Sequence, residues 1–365
     1  MRFLFHFYDL HQKAGIQRAI CELSNAMIRQ GHEVIVSSNT PRNQIAYGLN
    51  NQVVVETYNN PEPQRTGFRA WLAKLLWAAC QWSPLRTMVL KYRPDMIVDH
   101  GTALGLIYPL ARLGGVPFAL QRHFPGRNFP HGWALYRAIS AFSIAKTTVV
   151  LTDAIASDMR QLGFKNVPVI PNPTPIDARY CPYEEATPRL GLLMGRAGNP
   201  QKGFDLFLEA LALRRIEGWQ FQIVGPGVDT DPLLHELVAQ YHLEGNVELL
   251  AATADPYRLI REASCLIMPS RYEGLPMVAL EALSIGRPVV AANVDGLREL
   301  VVQGVNGILF QSGSAAHLSA ALLTMAADST RLDSLAKNAP ASIHEFRPDV
   351  IVLKWCELVD SFKVR

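Results

Sequence analysis

The sequence predicts an α/β protein of two domains, each a parallel sheet covered by helices. Three observations carry this. Short apolar strands alternate with segments of helical periodicity throughout, and that alternation makes βαβ units and parallel sheet. A proline-rich stretch from Pro171 to Pro188 breaks the alternation, which restarts at Leu190; each proline removes a backbone donor and restricts the residue before it. Finally, 365 residues exceed the usual size of one domain. The expected division is a first domain over 1–170, a linker over 171–188 and a second domain over 189–345, with a helix over 346–365 returning to pack on the first.

Arg2–Phe7 reads as a buried strand, followed by a loop holding Lys13, Ala14 and Gly15. Ile16, Ile20, Leu23, Ala26 and Met27 then fall at helical spacing up to Gly31, and Glu33–Ser37 is the next strand. No G-x-G-x-x-G follows the first strand, so this opening is not a dinucleotide fingerprint. Gln52–Glu56 reads as a third strand. From Gln64 to Arg93 the chain carries six Lys/Arg and no acid, with Trp71, Trp77 and Trp82 interleaved. Such a segment suits an interfacial membrane helix, its apolar face in the headgroups and its cations on anionic lipid; a core-packed helix with a basic outer face is the alternative. Asp95–Val98 (strand), Ala103–Leu113 (helix) and Val116–Gln121 (strand) continue the pattern. Beyond them stand Arg122, His123 and Arg127. Ligands of open parallel sheets sit past the carboxyl ends of strands, which makes His123 a candidate site residue and Arg122 and Arg127 candidate contacts for an anionic acceptor. Thr147–Leu151, Asp153–Leu162 and Val167–Ile170 complete this half as strand, helix and strand.

The second half opens with Leu190–Met194 as a strand, a loop from Gly195 to Gly203, and a helix to about Arg215. Within that loop Arg196 offers a planar fork and Lys202 a mobile point charge, an arrangement suited to phosphate. Phe221–Val224 and Val247–Leu250 read as further strands. The most informative stretch follows. Cys265–Met268 is a strand, Pro269–Glu273 a polar loop, and a helix opens at Gly274–Pro276 with proline in its first turn. First-turn amides and the helix dipole make an anion site there. Glu273 stands at its mouth, and Glu281 lies roughly 7–8 Å along the axis past Pro276. Carboxylates beside cations and helix amides suit a ligand with both hydroxyls and phosphates. The D-x-D at Asp229-Thr230-Asp231 is expected to lie outside the diphosphate loops, so no metal site is assigned.

Composition fits a folded globular chain, with 49% hydrophobic and 18% charged residues. The net charge of +3 hides an asymmetry: residues 1–180 carry 19 Lys/Arg against 10 Asp/Glu, the remainder 16 against 22. A basic first half favours an anionic surface or acceptor there. Five scattered cysteines form no C-x-x-C and read as buried thiols of a reducing compartment. The apolar run at the start is too short for a signal peptide, and no stretch approaches a membrane span. A cytoplasmic chain, peripheral on the inner membrane, is expected, with no nucleic-acid partner.

Glu273 and Glu281 sit within PSRYEGLPMVALEALSIGRPVV, and this context resembles the signature of retaining glycosyltransferases of family 4. The resemblance implies the GT-B fold: two Rossmann-like parallel-sheet domains facing a central cleft, with the donor mostly on the second and the acceptor on the first. By the same resemblance Glu281 binds ribose hydroxyls, and Glu273 accepts from donor-sugar hydroxyls beside the amides of Gly274 and Leu275. Arg196 and Lys202 clamp the diphosphate, Gly15 brings backbone close to the donor, and His123 faces the transferred sugar. Glu273, Arg196, Lys202 and His123 are thus the implied catalytic set. No cofactor is implied; the co-substrate is a nucleotide diphosphate sugar, UDP ahead of GDP. The family usually has Gly-Gly where this chain has Ala14-Gly15, a glycine where it has Ala251, a small residue where it has Arg287, and Gly-Gly where it has Asp295-Gly296. The Gly15-Ile16-Gln17-Arg18 helix opening and the tryptophan-rich basic segment are most similar to lipopolysaccharide core glucosyltransferases. They imply hexose transfer to lipopolysaccharide or another envelope glycan, on a lipid-linked or glycan acceptor. A GT-B sugar-nucleotide epimerase and an inactive nucleotide-sugar-binding partner are the alternatives.

Overall fold

The computed structural model describes residues 1–57, 84–100, 115–123, 147–161, 163–175, 181, 189–253 and 255–363. The chain divides into two compact units, Met1–Ile176 with Arg347–Arg365, and Asp177–Phe346.

In the first unit, β1 (Arg2–His6), β2 (Glu33–Ser38), β3 (Val54–Thr57), β4 (Met96–Asp99), β5 (Phe118–Arg122) and β6 (Thr147–Val150) form one sheet. Its order is β3-β2-β1-β4-β5-β6, and every pairing is parallel, with Phe5 registered between Val36 and Val98. The central strands carry buried apolar runs, Phe3–Phe5 and Met96–Val98, as strands covered on both faces must. Helix Gly15–Arg29 buries Ile20, Leu23, Ala26 and Met27 on one face of the sheet. Helix Pro348–Lys363 supplies Ile351, Val352, Trp355 and Val359 to the same core. Trp355 is wholly buried and meets the Phe5 ring edge-on at 6.5 Å.

In the second unit, β7 (Arg189–Met194), β8 (Trp219–Val224), β9 (Val247–Leu250), β10 (Cys265–Met268), β11 (Val289–Ala292) and β12 (Gly307–Phe310) pair in the order β12-β11-β10-β7-β8-β9, again all parallel. Both sheets therefore share one topology: the first strand lies beside the fourth, and the winding reverses between them. Ligands of such sheets collect in the crevice outside the carboxyl ends at that reversal.

Several expectations need correction. Val167–Ile170 is not a strand. A single bridge joins Val169 to Val150, because Pro168 has no amide to extend the ladder. The helix expected to open at Gly274–Pro276 runs Met277–Ser284, with Pro276 as its extended N-cap. Helices Pro232–Gln240, Pro256–Glu262, Ala315–Ala326 and Ser329–Ser342 were not marked by periodicity. Each is announced instead by an N-cap whose side chain accepts a first-turn amide: Asp231, Asp255, Ser314 and Asp328. The Ala103–Leu113 helix, Trp71, Trp77, Trp82 and Arg127 lie outside the described residues. Among the described residues no helix is long and apolar enough to cross a membrane.

Candidate active site

The second unit's winding reverses between β7 and β10, so the loops that matter there are the ones following Met194 and Met268. After β7 the chain reaches a one-turn helix, Pro200–Lys202, opened by Asn199, whose side chain accepts from the Gln201 amide at 3.1 Å. Gly203 closes it at φ +67, where a Cβ would lie 2.2 Å from the Pro269 carbonyl oxygen; only glycine lets the two loops meet this closely. The aliphatic stem of Lys202 passes over Gly195, where a Cβ would come within 2.8 Å of it. The lysine ammonium is thereby delivered to the β10 loop.

There Lys202 Nζ donates to Glu273 Oε1 at 2.8 Å. Ser270 Oγ donates to the same oxygen at 2.8 Å, and Gln201 Nε2 approaches Glu273 Oε2 at 3.4 Å and donates to the Tyr272 carbonyl at 2.9 Å. Glu273 is 4% exposed. A carboxylate so buried needs a charge partner and donors, and it has both. The Lys202 side chain is 21% exposed, so its ammonium keeps contact with water. Gly274, Leu275 and Glu281 are buried immediately beyond. Arg196 stands exposed on the same loop as Lys202, with no ion pair among the described residues. Thus Lys202 and Glu273 are in direct contact, whereas Arg196 is not engaged with either. Ser270 and Gln201 were missed. Their proximity to Glu273 and Lys202 in sequence was the available signal, but nothing in a serine or glutamine says which way it points.

The D-x-D expected to lie apart from these loops touches one of them. Asp231 accepts from Leu233 and Leu234 as a helix cap and from the Gly198 amide at 3.1 Å. It braces the Lys202 loop, a structural duty that occupies its carboxylate. Arg287 is buried, and its guanidinium donates to the Arg261 carbonyl at 2.7 Å and the Cys181 carbonyl at 2.9 Å. The carbonyl of Arg261 lies in the last turn of helix Pro256–Glu262, so Arg287 satisfies an orphan helix-end acceptor.

In the first unit the corresponding strand ends carry histidines. His6 ends β1, His100 follows β4 and His123 follows β5. The His100 and His123 rings stack at 5.5 Å, with His100 Nδ1 3.2 Å from His123 Nε2, and His6 Nδ1 lies 3.1 Å from Ser37 Oγ. Burial pushes His6 down to about 3, and burial with the Arg122 charge pushes His123 down to about 3. Burial, then His123 and His6, also lowers His100. These imidazoles are neutral near neutral pH, able to exchange hydrogen bonds but not to hold a charge. Arg122 is half-buried beside them, and Gly15 is the exposed first residue of its helix.

Two family models match in tandem: Glycosyltransferase Family 4 over residues 14–178, and Glycosyl transferases group 1 over residues 188–328. The chain is a glycosyltransferase of family 4. It is 27% identical to a glycogen synthase of Mycobacterium tuberculosis over 89% of this chain and 85% of that one. Among solved structures it is similar to HepE of Anabaena in complex with UDP, at TM-score 0.79 and 20% identity over 99% of this chain and 100% of that chain. It is also similar to the lipopolysaccharide outer core galactosyltransferase WaaB, at TM-score 0.74 and 18% identity over 99% of each. The fold of this family 4 enzyme is GT-B, with two Rossmann-like sheets of one strand order.

Proposed function

We propose that this glycosyltransferase moves a hexose, with retention of configuration and without a metal, from a nucleotide diphosphate sugar to a lipopolysaccharide or other envelope glycan. The observation that carries the reading is the Lys202–Glu273 contact at the ends of β7 and β10, where a parallel sheet collects ligands. UDP is favoured over GDP because HepE, similar across the whole chain, is described with UDP and with UDP-glucose. WaaB, named for lipopolysaccharide, supports the acceptor class.

The chemistry follows from where charge moves. As the anomeric C–O bond breaks, its electron pair goes to the β-phosphate, and the sugar carbon becomes oxocarbenium-like. An ammonium has three donors, so Lys202 can keep Glu273 and still serve a phosphate oxygen; Arg196, exposed on the same loop, adds a fork. Cations placed beforehand at that oxygen stabilise the transition state more than the ground state. Glu273 accepts from sugar hydroxyls and Glu281 from ribose hydroxyls. The acceptor oxygen attacks from the face the phosphate is leaving, and its proton passes to the departing phosphate oxygen. No carboxylate nucleophile and no covalent sugar–enzyme intermediate is required, unlike in retaining glycosidases.

UDP-glucose incubated with the enzyme and no acceptor should release UDP slowly, and Lys202→Ala should abolish that release. Binding without turnover under any acceptor or nucleotide sugar would overturn the reading. We further propose that the chain lies peripherally on an anionic membrane through the tryptophan-rich basic segment: removal of Trp71 and Trp77 should weaken binding to anionic vesicles, and unchanged partitioning would refute it.

A further inference from the structure

Arg271 lies two residues before Glu273 and has no part in the proposed chemistry, yet it bridges the two loops that hold Lys202 and Glu273. Its Nη1 donates to the Pro200 carbonyl at 2.6 Å, and its fork grips Asp205 at 2.9 and 2.6 Å. Its backbone amide donates to the Gln201 carbonyl at 2.8 Å. Pro200 and Gln201 belong to the turn that carries Lys202, and Asp205 lies in the first turn of the helix that follows it. One side chain therefore ties the entry and the exit of the Lys202 turn to the Glu273 loop.

We propose that Arg271 is a positioning residue: through Pro200 and Asp205 it sets the Lys202 turn against the Glu273 loop and so fixes where the lysine ammonium sits. The proposal deepens the reading of Lys202 and Glu273 as donor-site residues and rests on it for its effect on turnover. Three arguments support the assignment. A bidentate Arg–carboxylate pair fixes direction as well as distance, which a lysine cannot do. Both partners are substantially exposed, at 39% and 47% of their side chains, so the pair adds little to global stability. Yet Lys202 reaches Glu273 through a flexible four-carbon stem, so the position of its backbone decides where the ammonium goes, and a misplacement of about 1 Å at a reacting centre can lower rates about 10²-fold. The consequence is a large effect on the site with a small effect on the fold. The Arg271 pair also draws Asp205 below the usual carboxylate range, first through its hydrogen bond and then through its charge, in keeping with a closed fork.

The test uses Arg271→Ala, Arg271→Lys and Asp205→Asn in the full chain, with two readouts. The first needs no substrate: amine-acylation rates followed by peptide mass spectrometry, with exposed Lys337 as internal reference. Lys202 should be labelled several-fold faster in Arg271→Ala and Asp205→Asn, with Lys337 unchanged and the melting temperature lowered by no more than about 2–4 °C. The second is turnover of the nucleotide sugar, which should fall about 10–100-fold in kcat in Arg271→Ala, with Arg271→Lys intermediate and the Arg271→Ala/Asp205→Asn double variant no worse than Arg271→Ala. Unchanged Lys202 labelling in Arg271→Ala overturns the inference, as does a loss of turnover wholly accounted for by unfolding. Faster labelling with turnover intact upholds the clamp and instead overturns the role of Lys202 in transfer.

Discussion

Removing the lysine of the Lys202–Glu273 pair, and then the charge of the glutamate, separates stability from chemistry. In Lys202→Ala, Glu273 keeps Ser270 and Gln201 as donors but loses its cation while 4% exposed. Breaking a fully buried pair by removing one partner costs about 3–5 kcal/mol. Here the lysine end is 21% exposed, so the figure is discounted to about 2–3 kcal/mol. For a unit of this size that is about 5–10 °C in melting temperature. Adding Glu273→Gln removes the uncompensated charge and keeps the shape and an acceptor for Ser270, so the double variant should recover about 1–2 kcal/mol relative to Lys202→Ala alone. Activity should not follow. Loss of a cation at the leaving phosphate lowers turnover about 10²–10³-fold, and the amide at 273 cannot restore it. Urea unfolding of the single and double variants gives the stabilities, and release of UDP from UDP-glucose gives the turnover. A double variant no more stable than Lys202→Ala refutes the buried charge pair. Recovery of turnover in the double variant refutes the placement of the chemistry.

Three further outcomes follow from the packing. Because His6 and His123 are pushed down to about 3 from the ordinary 6.5, the unfolded chain takes up protons below pH 6.5 while the folded chain does not. Their contribution is whole above pH 6.5 and is lost as pH falls from 6.5 toward 3, about 2 kcal/mol for each at pH 5; urea midpoints at pH 7.5, 6 and 5 should fall accordingly, and less steeply in His6→Asn. Trp355→Ala should destabilise the first unit by about 3–5 kcal/mol, read by calorimetry, since the indole is wholly buried against Phe5. Arg287→Met should lower the stability of the second unit by about 2–3 kcal/mol, because buried carbonyls of Arg261 and Cys181 lose a charged donor; an unchanged midpoint would remove the capping role.

Much of this was legible in the chain because it rests on local chemistry. β10 falls where the four-residue apolar run CLIM places it, and the loop from Met268 to Glu273 is marked by its switch from apolar to polar. What was hidden depends on neighbours distant in sequence. That β4 inserts beside β1, and β10 beside β7, is a matter of crossover path, which periodicity does not record. Lys202 and Glu273 are 71 residues apart, and their contact needed a motif to suggest it. Ser270, Gln201 and Arg271 stand beside Glu273 and Lys202 in the chain, but their roles come from the direction of one side chain, which no sequence pattern records. The helix caps are the instructive case: Asp231 was in plain view as one end of a D-x-D, yet its proline neighbour, Pro232, marks it as a helix start.

The two sheets share a strand order but finish their strands differently, and burial explains the difference. At the ends of β1, β4 and β5 stand imidazoles held neutral by desolvation, with Asp99 closing β4, Arg122 closing β5 and the His100 ring edge-on to Phe5. At the ends of β7 and β10 stands a carboxylate that cannot be buried without a cation and two further donors. Neutral imidazoles can donate to or accept from hydroxyls but offer no net charge to a phosphate. A carboxylate–ammonium pair offers both, its acid to hydroxyls and its cation to phosphate oxygens. On the proposed reaction, that pair gives a diphosphate reason to settle on the second unit. A variant that charges this histidine cluster, such as His100→Lys, should damage folding of the first unit before it alters affinity for UDP.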